Sequence, residues 1–226
     1  MLRRKIFKSL FEIAIRLVDD AVPPEELERF LVDSINRIGV TIKDNSNNLN
    51  AQTIQEFQRA YARCVALDLP ISKLAVEPET TLPPILSKHE LQKWIESLPD
   101  DNIVGRNGVI PKSGEYLLRW IDQFPNDPRL QENMELLLRH IEVKRKNSLT
   151  LNAPRKSQDE WLEKHAVSTA FCIYARKIND IRFLNAAFKL NDWAYPNHKR
   201  IPIGHQLIRY LWALAEAEMS SKDLLD

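Results

Sequence analysis

The pentapeptide NDPRL at Asn126–Leu130 returns as NDIRF at Asn179–Phe183, 53 positions later. A run of residues with helical hydrophobic periodicity precedes each copy, at Tyr116–Phe124 and Trp161–Ile178, and another such run follows it. Units of helix, turn and helix are typical of helical-hairpin arrays. Two explanations stay open at this point: a true repeat of 53 residues, and a coincidence of ordinary helix-capping chemistry.

An aspartate occupies the same place in both copies. Asp127 and Asp180 each stand just before the apolar periodicity of the next helix, where an aspartate oxygen accepts a free backbone N–H of the first turn. We therefore predict that both are N-caps. The apolar positions that follow align with a 3.6-residue period. They are Leu130, Met134, Leu137 and Ile141 after the first cap, and Phe183, Ala187, Leu190 and Ala194 after the second.

Prolines divide the rest of the chain into further helical segments. Three prolines in the seven residues PETTLPP, at 78–84, deny continuity to both helix and sheet. We predict an N-terminal helical region at 1–77, a proline-rich hinge at 78–86 and a helical-hairpin domain at 87–226. The predicted fold class is all-α, with antiparallel helical hairpins in a superhelical or partial-toroid array and an N-terminal helical subdomain as an option.

Two local patterns and the last helix add detail. Ser87–Glu90 matches a capping box, and Asn107 with Gly108 favours the turn of a small hairpin in the glycine-rich stretch 100–114. The final helix, predicted at 204–222, carries so wide an apolar stripe that it needs cover from at least two neighbours. That cover comes either from the same chain or from a second subunit.

Composition sets the broad class. The chain has 226 residues, 44% hydrophobic and 28% charged, so it can bury a core. A net charge of +1 argues against a surface built wholly to hold nucleic acid. Five glycines disfavour phosphate-cradling loops, and two cysteines 108 positions apart are typical of a reduced, cytoplasmic protein. Cys64 lies on an apolar helix face, which predicts a buried, inert thiol.

The first 18 residues form an amphipathic pattern rather than a targeting signal. Lys8, Glu12 and Arg16 interrupt the apolar residues, so the stretch lacks the apolar run of a signal peptide or a membrane span. A basic helix lying on an anionic membrane and a packed helix with a solvated basic edge both fit the pattern. We favour the packed helix because acidic residues dilute the charge.

One segment resembles a known family. Tyr174–Trp193, YARKINDIRFLNAAFKLNDW, resembles the helical-hairpin repeat of the α/α-toroid carbohydrate-active enzymes, such as unsaturated glucuronyl hydrolases and sugar 2-epimerases. The matching residues are Asp180, Arg182, Phe183, Leu184, Ala187, Lys189, Asp192 and Trp193. The resemblance covers about 20 residues, none of them a catalytic motif, and implies hairpin architecture more than sugar chemistry. A closed ring of six hairpins at this 53-residue spacing would exceed 300 residues, which this chain of 226 cannot supply, so a shorter array is expected.

The most site-like stretch is 191–205, NDWAYPNHKRIPIGH. A loop between two helices that presents aromatic, acidic and basic side chains suits a polar ligand. Asp192 is the first acid/base candidate and His198 the second. The candidate ligand-binding residues are Trp193, Tyr195, Lys199, Arg200 and His205. The alternative is that Trp193 completes a helix core and the basic residues only solvate the loop.

A second candidate is the densest basic cluster of the chain, for which anion binding is one interpretation. Its members are Lys144, Arg145, Lys146, Arg155 and Lys156. Phosphate binding would be salt-sensitive, whereas the simpler interpretation is cations favoured by a helix C-terminus. No metal site is predicted, since no two of the five histidines have the i, i+4 spacing of a helical zinc pair, and no cofactor is predicted.

The leading function is a non-catalytic helical scaffold or accessory protein that binds a protein partner or a small polar ligand. It leads because the sequence lacks the catalytic signatures of nucleotide, serine-hydrolase and metal enzymes. The first alternative is a carbohydrate-binding or carbohydrate-processing protein, and the second is nucleic-acid binding through the basic cluster. A protein partner or a homo-oligomer is expected, a sugar ligand stays open, and neither nucleic acid nor a membrane is expected as a partner.

Overall fold

The computed structural model describes residues 24–45, 51–73, 87–105, 108–143, 157–190 and 205–225. Eight α-helices lie within these ranges: α1 (Pro24–Asn45), α2 (Ala51–Ala66), α3 (Lys88–Glu96), α4 (Ser113–Gln123), α5 (Pro128–Val143), α6 (Ser157–Ile178), α7 (Ile181–Leu190) and α8 (His205–Leu225). The all-α class is thereby confirmed, while the superhelical or partial-toroid array stays a prediction. None of these helices combines the length and the hydrophobicity that a bilayer crossing requires.

A short antiparallel hairpin interrupts the helices between α3 and α4. Its strands are β1 (Val104–Gly105) and β2 (Gly108–Val109), and Gly105 pairs with Gly108. The small hairpin is confirmed, but the placement of Gly108 in the turn is wrong. Because the pairing closes at Gly105 and Gly108, the connecting residues are 106–107, which lie outside the described residues.

The chain divides into two compact units. Unit 1 comprises Met1–Thr81 and Trp193–Asp226, and unit 2 comprises Leu82–Asp192. The predicted hairpin domain at 87–226 includes α8, but in the structure α8 packs against α1 and α2 in unit 1. Hydrophobic periodicity predicts that a helix face is buried, but it does not identify the helices that pack against that face. The proposed hinge at 78–86 lies outside the described residues, and the three-part division stays a prediction.

The described helices of unit 1 are α1, α2 and α8. Every residue of α8 from Leu207 to Glu218 is buried. A helix that is buried on all sides needs neighbours on more than one face, and α1 and α2 supply them. The need for two covering helices is therefore confirmed, and the cover is internal to the chain.

Unit 2 centres on α6, which packs against both α4 and α7. Gly114 sets the crossing of α4 and α6: a Cβ atom on this residue would lie 2.6 Å from the Cβ atom of Ala166 and 2.8 Å from the backbone nitrogen of Val167. At the same point the buried Glu163 carboxylate accepts the backbone N–H of Gly114 at 2.8 Å, so α6 itself caps the first turn of α4.

The two predicted N-caps are confirmed. Asp127 accepts the backbone N–H of Arg129 at 3.0 Å, and Asp180 accepts that of Arg182 at 2.9 Å. Each aspartate also holds the guanidinium of that same arginine, so the cap and an ion pair share one carboxylate. The apolar positions aligned after the two caps are buried wherever they are described: Leu130, Met134, Leu137, Ile141, Phe183, Ala187 and Leu190.

Candidate functional site

The residues predicted to form a ligand site fall almost wholly outside the described part of the chain. Residues 191–204 and 144–156 are both outside it, so the structure does not test whether these side chains lie close together. They are Asp192, Trp193, Tyr195, His198, Lys199 and Arg200 of the loop, and Lys144, Arg145, Lys146, Arg155 and Lys156 of the basic cluster. His205 is the first residue of α8, and its side chain is not among those described. All of these sites stay predictions.

The described residues that carry the toroid resemblance build the hairpin of α6 and α7. Phe183 is fully buried and meets the rings of Phe171 and Tyr174 edge-on, with centroids 5.4 and 5.0 Å apart. Asp180 and Arg182 form the cap. These residues have structural roles, so they support the hairpin and add nothing on sugar chemistry.

The outward side of α5 forms a shallow surface groove of about 550 Å³. Its lining residues, which we call the α5 face, are Pro128, Gln131, Glu132, Glu135, Leu136 and Arg139. All six are exposed or half-exposed because the opposite side of the helix faces the core of unit 2. The α5 face carries carboxylates and a guanidinium together, with one leucine between them.

Arg182 connects the α5 face to α7. Its guanidinium donates to Glu135 at 2.8 Å and to Asp180 at 2.6 Å. The hydrogen bonds from Arg182 lower the pKa of Asp180, and the two carboxylates raise the pKa of Arg182. Two large apolar residues at the same turn remain exposed, Ile178 at 44% and Ile181 at 39%. This edge of unit 2 is therefore a mixed charged and apolar surface.

Unit 1 contains a second unusual feature, a buried ion-pair seam between α2 and α8. Arg209 donates to both carboxylate oxygens of Glu56, and these side chains are only 3% and 6% exposed. Two turns further along, Arg63 donates to Glu216 at 2.6 Å. Each pair is separated by 153 residues, and a constant offset means that the two helices run in the same direction.

An aromatic side chain completes the seam. The guanidinium of Arg59 lies 5.3 Å from the ring centroid of Trp212, again 153 positions apart. The indole N–H of Trp212 donates to Glu216 at 3.2 Å, so this carboxylate receives both an indole and a guanidinium. The seam thus matches acid to base twice, with a cation over an aromatic ring between them.

Glu218 lies beside this seam but outside its pairing. Its side chain is fully buried, and neither carboxylate oxygen has a hydrogen-bond partner within the ranges that the structure describes. Burial raises the pKa of Glu218 well above its ordinary value, and the charge of Glu28 on α1 adds to the shift. Burial, with a contribution from Glu218, also raises the pKa of the Cys64 thiol. The buried position predicted for Cys64 is confirmed. Its inertness stays a prediction, which the raised pKa favours because the thiolate is the reactive form.

The seam was missed at the level of sequence, although a signal for it exists. Arg209, Glu216 and Glu218 are the charged residues of the buried stretch Leu207–Glu218, whose other residues are apolar or aromatic, and charged residues in such a setting need partners. On α2 an acid, Glu56, precedes a base, Arg63, which is the reverse of the order on α8. Once the two helices are known to be parallel, these two residues are identified as the partners of Arg209 and Glu216. In the described ranges no group of three or more His, Cys, Asp or Glu residues is arranged to hold a metal ion.

The comparisons with known proteins supply no relative from which a role could be transferred. No protein-family model, no curated protein and no solved structure matches this chain.

Proposed function

We propose that the chain is a helical scaffold that binds a protein partner through the α5 face, and that this partner is a second copy of the chain. The single observation that carries the proposal is the charge order of that face. Glu132 and Arg139 stand seven positions apart on one exposed side of one helix. A scaffold without catalytic activity remains the interpretation of the sequence, and the α5 face adds a place for it to bind.

The charge order is self-complementary. Seven residues are two helical turns, or about 10 Å along the axis. When two α5 helices meet antiparallel about a two-fold axis near Leu136, Glu132 of each copy faces Arg139 of the other. Both ion pairs then form at once, and the two leucines meet at the axis. Glu135 is already engaged by Arg182, which leaves Glu132 as the carboxylate that faces outward.

The expected association is weak. Exposed ion pairs contribute about 0.2–1 kcal/mol each, and a single helix face gives an interface at the small end of the known range. We therefore expect a dissociation constant on the order of 0.1 mM and a clear loss of association in high salt.

Sedimentation equilibrium between 10 µM and 1 mM, as order-of-magnitude limits around that constant, tests the proposal. Glu132→Arg alone and Arg139→Glu alone should each abolish self-association, because each places like charges opposite one another. A mixture of the two single variants should associate again, since every contact then pairs opposite charges. The double variant, which carries both changes in one chain, should also recover.

Asp122→Arg, an exposed charge reversal on α4, is the matched control and should leave the association unchanged. A wild-type chain that stays monomeric at every concentration contradicts the proposal. Recovery in neither the mixture nor the double variant contradicts it as well, because the association would then use another surface. The carbohydrate and nucleic-acid alternatives depend on residues 144–156 and 191–205 and stay predictions.

A further inference from the structure

The closing of α8 on α1 and α2 places an acid where water cannot reach it. Glu218 is fully buried, with both carboxylate oxygens lacking a partner among the described residues. Ser221, one turn further on and 2% exposed, likewise has no partner for its hydroxyl there. A buried carboxylate without hydrogen bonds or a counter-ion is strongly disfavoured relative to the neutral acid.

The charged groups around Glu218 do not compensate for this burial. From α1 the group that acts on it is Glu28, which carries the same sign, and from α2 it is the thiol of Cys64, which burial keeps neutral. In the seam between α2 and α8, the guanidinium of Arg63 is paired with Glu216. On α8 itself, Lys222 follows one turn later and is half-exposed. No cation within the described ranges acts to stabilise ionised Glu218.

We propose that Glu218 makes the docking of α8 on α1 and α2 proton-dependent: the side chain enters the core of unit 1 as the neutral acid, and loss of its proton opens the unit. Unit 2 has no part in this dependence. The device does not rest on the proposed self-association, because it concerns the interior of unit 1 and not the α5 face.

The direction of the effect follows from proton linkage. Opened unit 1 exposes Glu218, which then titrates in the ordinary range of a glutamate, near pH 4.3. Between that range and the higher range of the closed state, the closed form holds one proton more than the open form. The equilibrium constant for opening of unit 1 is therefore expected to increase by up to about tenfold when the pH rises by 1.

The chain carries its own pair of reporters. Cys64 lies in unit 1 and Cys172 lies in unit 2, and both thiols are completely buried in the closed state. Each therefore reacts with a thiol reagent only when its own unit opens. An exposed thiol reacts faster as the pH rises, but this factor is common to both residues, so the ratio of their labelling rates reports opening of unit 1 relative to unit 2.

The experiment is pulsed alkylation of the full chain with N-ethylmaleimide between about pH 5 and pH 9, a range that lies above the ordinary titration of a glutamate. The urea concentration is fixed below the unfolding transition, and the two cysteine peptides are quantified by mass spectrometry. In the wild type the ratio of the Cys64 labelling rate to the Cys172 labelling rate should rise steeply with pH, by up to about tenfold for a pH increase of 1. In Glu218→Gln the ratio should stay within about twofold, since the amide matches the neutral acid in shape and cannot ionise.

A flat ratio in the wild type overturns the proposal, and so does an equally steep rise in Glu218→Gln. Should Glu218→Gln fail to fold, Glu218→Met provides the second non-ionisable side chain, and the wild-type series remains decisive on its own.

Discussion

The two units use ion pairs between acids and arginines in opposite ways. In unit 2, Asp127 and Asp180 each hold an arginine two residues further on, at the surface, as part of a helix cap. In unit 1, Glu56 and Arg209 meet across 153 residues in the core. A local pair forms wherever its helix forms, whereas a long-range pair exists only in the complete unit. The local pairs of unit 2 belong to helix caps, whereas the long-range pair of unit 1 fixes the alignment of α2 with α8.

The largest effect should come from removing one partner of the buried pair. Arg209→Met leaves the Glu56 carboxylate in the core without its cation, and the free energy of unfolding of unit 1 should fall by about 3–5 kcal/mol. The double variant Arg209→Met with Glu56→Met should recover most of this loss, because no buried charge is left. Urea unfolding monitored by protection of Cys64 measures both variants, and Cys172 reports whether unit 2 is affected.

Arg63→Met provides the graded control for the same seam. Arg63 is 24% exposed, and Glu216 keeps the indole N–H of Trp212 when the guanidinium is removed. Its loss should cost clearly less than that of Arg209. If the two single variants cost the same, or if the Arg209 and Glu56 double variant is no more stable than Arg209→Met, burial of the pair is not what sets its importance.

A middle-sized effect should appear in unit 2 at its closest helix crossing. Gly114→Ala places a methyl group 2.6 Å from the Cβ atom of Ala166 and 2.8 Å from a backbone nitrogen, so α4 and α6 must move apart. The expected loss is about 1–3 kcal/mol in the stability of unit 2, with the Glu163 cap strained in addition. Cys172 protection in urea should report the change while Cys64 protection stays constant. A loss below about 0.5 kcal/mol would show that the crossing is not constrained at Gly114.

The smallest effects should come from the half-buried aspartate caps. Asp127→Ala should lower the stability of unit 2 by about 1 kcal/mol and Asp180→Ala by somewhat less. The difference is expected because Asp127 also accepts the indole N–H of Trp120 at 3.1 Å. Thermal unfolding at neutral pH measures both, and a larger loss at Asp180 would contradict this order.

The caps also give unit 2 a pH dependence opposite to that of unit 1. Burial acts to raise the pKa of Asp127, but the hydrogen bonds from Arg129 and Trp120 outweigh it, so the pKa is lowered. The side chain of Arg182 lowers the pKa of Asp180. A carboxyl with a lowered pKa stabilises the fold above the ordinary range of aspartate, and that contribution is lost as the pH falls through the folded value. Acid should therefore weaken unit 2, whereas the proposal for Glu218 predicts that alkali opens unit 1.

Much of the local structure follows from short sequence patterns. The all-α class, both aspartate caps, the capping box at Ser87 and the small hairpin are each decided by a few neighbouring residues. The buried state of Cys64 follows from its place on an apolar stripe. These features are predictable because the groups that interact lie only a few residues apart. A short stretch of sequence therefore contains both the donor and the acceptor at the required spacing.

The pairing of helices is a different kind of information. The sequence by itself determined that α8 must be covered on several sides and that Arg209, Glu216 and Glu218 stand among apolar neighbours. Only the tertiary structure decided that α2 and α1 pack against α8 and that Glu56 and Arg63 pair with Arg209 and Glu216. It also decided that the Glu218 carboxylate has no hydrogen-bond partner among the described residues. The reason is physical, because burial of apolar surface is favourable against any suitable neighbour, and the periodicity of a helix therefore fixes how much of it is buried. The choice of neighbour depends on how whole helices fit together, here between residues that are 153 positions apart in the chain.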